Sequence, residues 1–159
     1  MTILIISDTH VKRYDDLPEP VQGVISSVDA IIHAGDIGSI EFYNDLKART
    51  PNLYAVKGNN DHFSLPLELV ITLNGVKIAL THSDRVQGSR ENYLSYYFSA
   101  ENPDLIIFGH THNPLWVQMG AQTLLNPGSP TRNRGIKYNT FVLMTITDGK
   151  FEIEFKRAD

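Results

Sequence analysis

No cysteine occurs among the 159 residues, and its absence removes several chemistries at once. A disulfide framework, a thiolate zinc site, an iron–sulfur cluster and a thiol nucleophile are all excluded. Long hydrophobic runs are missing too. The longest apolar stretches are about four or five residues, against the roughly 20 that span a bilayer. The opening segment, Met1-Thr2-Ile3-Leu4-Ile5-Ile6-Ser7-Asp8, has no basic region, and its apolar stretch is too short for a secretory signal. Nor is there an excess of positive charge. With 14 Lys+Arg against 18 Asp+Glu the formal charge is −4, so the broad basic field of a non-specific nucleic-acid binder is lacking. The cytoplasm is the expected compartment, with neither a membrane nor a stable nucleic-acid partner.

What remains fits one α/β domain over residues 1–159. A chain of this length buries about 68–70% of its unfolded surface, and 42% hydrophobic content is ordinary for a globular protein. Ile3–Ile6 reads as a strand apolar on both faces, hence central. Pro18 and Pro20 open a helix expected to run through Val28, with Val21, Val24, Ile25 and Val28 on one face. A strand at Ala30–His33, a helix over Ser39–Ala48 and, beyond Pro51, a strand at Leu53–Val56 continue the alternation. That order predicts a parallel sheet. Leu67–Leu73 and Val76–Leu80 flank Asn74-Gly75, a strong hairpin signal. Ser89–Ser99 reads as a helix with Tyr93, Tyr96 and Tyr97 on its packed side, and Leu105–Phe108 as a buried strand. Leu115–Met119, Thr123–Leu125, Thr140–Ile146 and Phe151–Phe155 read as short antiparallel strands, with turns at Gly120 and Asp148-Gly149. The expected architecture is two sheets face to face with helices outside.

Polar residues fall where the apolar strands stop. Asp8 and His10, Asp36, Asn59, His82, and His110 with His112 each follow a strand end, and the carboxyl ends of parallel strands are the usual ligand crevice. Imidazoles and carboxylates together suit first-row divalent metals. In Asp8-Thr9-His10 an extended backbone would point both side chains the same way. The same holds for His110-Thr111-His112, although a tight turn there would send the histidines to different metals. Gly35, Gly58 and Gly109 stand beside these residues, where a Cβ would crowd a close backbone approach. Asp36 is able to bridge two cations.

The blocks Ser7-Asp8-Thr9-His10, Gly35-Asp36, Gly58-Asn59-Asn60-Asp61, Thr81-His82 and Gly109-His110-Thr111-His112 resemble the calcineurin-like metallophosphoesterases. The likeness is greatest to their small bacterial and archaeal phosphodiesterases. Asn126-Pro127-Gly128-Ser129-Pro130 resembles the family's turn beyond the last histidines. The resemblance implies a four-layer α/β/β/α sandwich of two mixed β-sheets flanked by helices. It also implies two divalent metals, manganese first and nickel, iron or zinc as alternatives. One would be held by Asp8, His10, Asp36 and His112, the other by Asp36, Asn59, His82 and His110, with a shared hydroxide as nucleophile on a phosphodiester. A small phosphate ester, such as a nucleotide, is the expected partner, and a homo-oligomer is compatible.

The pattern departs from the family in two places. Asn60 stands where many members have a histidine that protonates the leaving oxygen, and a carboxamide is no general acid near neutral pH. His62 is a substitute acid only if it reaches, and a loop role is favoured. Asp84 replaces a second histidine after His82 and is a candidate to orient the His82 ring. Asn60 and Arg85 are the candidate substrate-contacting residues, while Arg132 and Arg134 read as solvated loop charge. His33, inside a strand, reads as a buried hydrogen-bonded residue. Trp116 and the cluster Tyr93, Tyr96, Tyr97 and Phe98 suit core packing better than a base-stacking pocket or a dimer face. Asn126–Pro130 reads as a structural turn beneath the site. The competing readings are a non-catalytic scaffold of the same fold, as in the retromer subunit that resembles these proteins, and a phosphomonoesterase or nuclease of the family.

Overall fold

The computed structural model describes residues 1–50 and 52–159; Pro51, the expected link between a helix and a strand, lies outside the described residues. Strand β1 (Thr2–Ile6) is central because Ile3, Leu4, Ile5 and Ile6 are all fully buried. It pairs in parallel with β2 (Ala30–His33), which pairs in parallel with β3 (Leu53–Ala55). On its other side β1 pairs antiparallel with β9 (Thr140–Thr147), whose own neighbour is β10 (Lys150–Arg157). The second sheet contains β4 (Glu68–Leu73), β5 (Val76–Thr81), β6 (Leu105–Phe108), β7 (Pro114–Met119) and β8 (Gln122–Pro127). Its order is β4-β5-β6-β8-β7, against β10-β9-β1-β2-β3 for the first, and both sheets have five strands. In the second sheet β5, β6 and β8 run parallel while the two edges are antiparallel.

Alternation along β1 builds the layers. Ile3 and Ile5 face Ile78, Leu80, Leu105 and Ile107 of the second sheet. Leu4 and Ile6 face outward onto Val21 and Ile25 of α1 (Glu19–Ile25) and Phe42 and Leu46 of α2 (Ile40–Arg49). The outer face of the second sheet, with Ala79, Ile106 and Phe108, packs on Leu94 and Phe98 at α3 (Arg90–Tyr97). The result is a four-layer α/β/β/α sandwich of two mixed sheets. Local chemistry agrees with the long-range packing. The Ser39 hydroxyl caps α2 by accepting from Phe42 N at 3.0 Å. Asn74-Gly75 turns with both residues at positive φ, 46° and 87°, the backbone that matches the twist of a tight hairpin.

Three expectations fail. α1 ends at Ile25, short of Val28, because Ser27 turns its amide and its hydroxyl back onto the Val24 carbonyl. The tyrosines are not on the packed side of α3. Tyr93, Tyr96 and Tyr97 are 45%, 81% and 48% exposed, while Leu94 and Phe98, four apart, form the buried stripe. Trp116 is 44% exposed. It lies on edge strand β7, where its neighbours Leu115, Val117 and Met119 take the packed side and its ring leans against Phe151 at 6.1 Å. Phe98→Ala should therefore cost about 3–5 kcal/mol of stability, whereas Tyr96→Ala should stay within about 0.5 kcal/mol. Equilibrium denaturant unfolding of the two variants checks this.

Candidate metal centre

The loops that leave β1 and β2 stay hydrogen-bonded after the strands end. Asp8 N donates to Gly35 O at 2.9 Å, His10 N to Asp36 O at 3.1 Å and Val11 N to Ile37 O at 3.3 Å. This coupling holds both chains in tight left-handed turns: Asp8, His10 and Asp36 have φ of 54°, 49° and 54°. His110 and His112, after β6, do the same at 73° and 61°. Non-glycine residues occupy this region at a cost of order 1–2 kcal/mol, and such strain gathers at functional sites. The extended backbone expected through Asp8-Thr9-His10 is thus replaced by a left-handed one. At His110-Thr111-His112 the tight turn prevails, and the two rings part.

The side chains of both sheets meet at this rim. His112 Nε2 is 3.2 Å from Asp8 Oδ1 and 3.4 Å from His10 Nε2. The two oxygens of Asp36 face different ways, Oδ2 lying 3.5 Å from His10 Nε2 and Oδ1 3.5 Å from His82 Nε2. Asn59 Oδ1 sits 3.1 Å from both His82 Nε2 and His110 Nδ1. Every metal-ligand candidate from the sequence is therefore in one cluster. Asp8, His10 and His112 offer atoms within 4.8 Å of one another, as do Asp8, Asp36 and His82. Asp8 thus reaches toward both halves of the cluster.

Two tautomers follow from the backbone. His82 Nδ1 faces the Ala34 carbonyl at 2.8 Å, and His112 Nδ1 faces the Arg132 carbonyl. A carbonyl only accepts, so both Nδ1 atoms carry protons, and in the neutral rings both Nε2 lone pairs point into the cluster. Asp8 Oδ2 accepts from Ser7 Oγ at 2.7 Å and from His110 N at 3.0 Å, but the buried Oδ1 has no partner. A buried carboxylate oxygen aimed among imidazole nitrogens and left unsatisfied is what a divalent cation would complete. The donor set, oxygen and nitrogen without sulfur, fits such an ion.

The comparisons agree with this geometry. Residues 1–149 match the family model of the calcineurin-like phosphoesterase superfamily domain. The chain belongs to that superfamily. A probable metallophosphoesterase of Methanocaldococcus jannaschii is 39% identical over 133 residues, 82% of this chain and 69% of that protein. A phosphodiesterase of the same organism is 25% identical over 147 residues, covering 80% and 83% of the two chains. Among solved structures, a predicted phosphoesterase from Streptococcus pneumoniae superposes with a TM-score of 0.79 at 29% identity, covering 99% of this chain and 89% of that one. Vps29 complexed with zinc, from Entamoeba histolytica, gives 0.80 at 26% identity over the whole of both chains. Metal-dependent phosphoester chemistry is the family's activity, and among the described residues no helix of this metallophosphoesterase is long and apolar enough to cross a membrane.

Electrostatics follow from burial and pairing. Burial pushes the Asp36 carboxyl up, but hydrogen bonds and charge from His82, with the Asn60 donors, hold it far below the usual carboxylate range. Burial likewise raises Asp8, and the His112 and His82 rings beside it, with the Ser7 hydroxyl, outweigh it. Burial pushes His10 and His110 down and favours neutral imidazole. For His82, burial acts downward but the Asp36 hydrogen bond and the Asp8 charge carry it upward.

Residues outside the cluster brace it. Asn60 donates its backbone N–H to Asp36 Oδ1 at 2.8 Å and its side-chain amide to Oδ2 at 2.6 Å. Asp61, unassigned from sequence, accepts from Gly38 N at 3.1 Å and Gly58 N at 2.8 Å. A Cβ on Gly58 would overlap Asp36 Oδ1, and one on Gly109 would overlap Ser7 Oγ. The turn at Asn126–Pro130 does lie under the site. Asn126 Nδ2 holds the Gly109 carbonyl at 3.0 Å, and Ser129 Oγ donates to the Asp8 carbonyl at 2.8 Å. Asp84 does not orient His82, because the Ala34 carbonyl already takes that ring's proton. Arg85 lines a cavity of about 340 Å³ with Asn59 and the exposed His62. The exposed Arg132 and Arg134 also line a cavity, beside His10 and His112.

His33 is fully buried, its Nε2 2.9 Å from Thr9 Oγ1, while that hydroxyl donates to Ile37 O at 2.8 Å. The single hydroxyl proton is spent, so His33 Nε2–H is the donor and Nδ1 is left bare in the core. Burial pushes its pKa down to about 3. On acidification the unfolded chain protonates this group first, so its contribution is present above about pH 6.5 and is lost toward pH 3, by up to roughly 1.4 kcal/mol per pH unit. His33→Gln keeps a donor to Thr9 and does not titrate. Its stability, measured by denaturant unfolding at pH 7 and pH 5, should fall less than that of the parent.

Proposed function

We propose that this metallophosphoesterase is a phosphodiesterase that works with two divalent ions, manganese first among them. The observation that carries the reading is the buried, unpartnered Asp8 Oδ1 amid inward-facing imidazole nitrogens. Asp8, His10, Asp36 and His112 would hold one ion, and Asp36, Asn59, His82 and His110 the other. The opposed faces of the Asp36 carboxylate support its place between them. When bound, the ions would supply an activated water and positive charge for the phosphoryl oxygens.

The chain's own residues do the rest. The Ala34 and Arg132 carbonyls fix the rings of His82 and His112 with Nε2 inward, Ser7 and the His110 amide fix Asp8, and Asn60 fixes Asp36. Asn60, exposed beside Asp36, would offer a leaving oxygen a hydrogen bond rather than a proton. Esters whose leaving group needs no proton would then turn over best. The diester preference draws on the relative named as a phosphodiesterase. A second reading, a metal-binding protein of this fold without catalysis, draws on the likeness to zinc-complexed Vps29.

Stripped protein should hydrolyse bis(p-nitrophenyl) phosphate only when manganese is returned, at least tenfold faster than p-nitrophenyl phosphate. Metal uptake without turnover of either ester would favour the second reading. Asn60→His should raise kcat on alkyl phosphodiesters by up to about 10²-fold and change the nitrophenyl ester far less. An equal effect on both would remove proton donation from the account of position 60.

A further inference from the structure

The cavity on the His10 side has an unusual charge content for an acidic chain. It is about 460 Å³ and is lined by His10, His112 and Asn60 together with the exposed Lys12, Arg132 and Arg134. Among the described residues no carboxylate lines it. Among the described residues the ion pairs of lysine and arginine are Arg13–Asp16, Arg49–Asp45 and Lys156–Glu154, so none of these three cations is neutralised. The chain carries 18 acidic residues against 14 basic ones, yet three basic side chains and no acidic one line this mouth. Like charges held together cost free energy unless an anion joins them.

The loop that carries the arginines is fixed in place. Ser129 Oγ accepts from Arg132 N at 2.8 Å, Thr131 Oγ1 donates to the Thr9 carbonyl at 2.7 Å, and Asn133 N donates to Asn139 Oδ1 at 3.0 Å. The Arg132 carbonyl also holds the His112 ring. One short segment therefore orients a cluster histidine through its backbone and presents cations through its side chains.

We propose that Lys12, Arg132 and Arg134 form a subsite for a second anionic group of the substrate. The substrate class is then a short phosphodiester that carries a further phosphate, seated beside the ester that reacts. The inference rests on the phosphodiesterase reading and deepens it. One reacting phosphodiester carries a single negative charge, fewer than these three cations match, and guanidinium forks suit phosphate oxygens.

The test is equilibrium binding to the manganese-loaded protein at low ionic strength, with adenosine 3′,5′-bisphosphate and adenosine 5′-monophosphate as probes. The bisphosphate should bind at least tenfold tighter, and the advantage should shrink as salt rises. The double variant Arg132→Gln, Arg134→Gln should bring the ratio below threefold while keeping the His112 tether, which uses backbone. Lys47→Gln, Lys150→Gln removes the same charge from elsewhere and should keep the ratio. Equal affinities for the two probes, or a ratio that survives the arginine substitutions, would overturn the subsite. Because binding is read without turnover, loss of the diester activity reading alone would leave this result standing.

Discussion

Asp8 carries a buried carboxylate with only one of its two oxygens satisfied by protein. Oδ2 takes the Ser7 hydroxyl and the His110 amide, while Oδ1 points toward His112 and His82 with no donor of its own. Leaving a charged oxygen so placed is costly in a protein interior. The surroundings accept it because they fix both neighbours first. The Ala34 carbonyl takes the His82 Nδ1 proton and the Arg132 carbonyl takes the His112 Nδ1 proton, so each neutral ring offers its Nε2 lone pair where a surface histidine would offer either nitrogen. Strand ends from both sheets, a turn beneath and an asparagine beside Asp36 all serve to hold one group of oxygen and nitrogen atoms facing inward.

That arrangement is held by backbone more than by side-chain contacts. Asp8, His10, Asp36, His110 and His112 all stand in left-handed conformations, each less favourable than a glycine would be there. The apolar sandwich supplies the compensation. Ile3–Ile6 of β1 and the whole of β2 and β6 are buried, and their loops inherit positions that the strands cannot easily yield. Glycine appears where space leaves no alternative: a Cβ on Gly58 would overlap the Asp36 carboxylate. Stability in the layers is thus spent locally at the rim, as expected where strain and function coincide.

Much of this was legible in the residues. Apolar runs ending in Asp, Asn or His mark the strands and the rim together, and the unbroken apolar run Ile3–Ile6 foretells two buried faces. What was not legible has physical reasons. Two-residue spacing in Asp8-Thr9-His10 suggests an extended chain, but hydrogen bonds to the Gly35–Ile37 segment impose left-handed turns that no local pattern announces. Aromatic residues in the third helix look like core, yet the stripe that packs is Leu94 and Phe98, one position on from Tyr93 and Tyr97. Backbone carbonyls that orient rings carry no signature in sequence at all. Asp61 had a faint one, an acidic residue three positions after Gly58, consistent with the amide it accepts.

The central claim is that the cluster around Asp8 and Asp36 is one centre for two divalent ions. Native mass spectrometry of the stripped protein titrated with manganese measures this most directly. Two ions per chain are expected for the parent protein, with loss of both, or of all but weak binding, in Asp36→Ala with the fold intact by circular dichroism. A single ion at saturation, or two ions retained without Asp36, would contradict it.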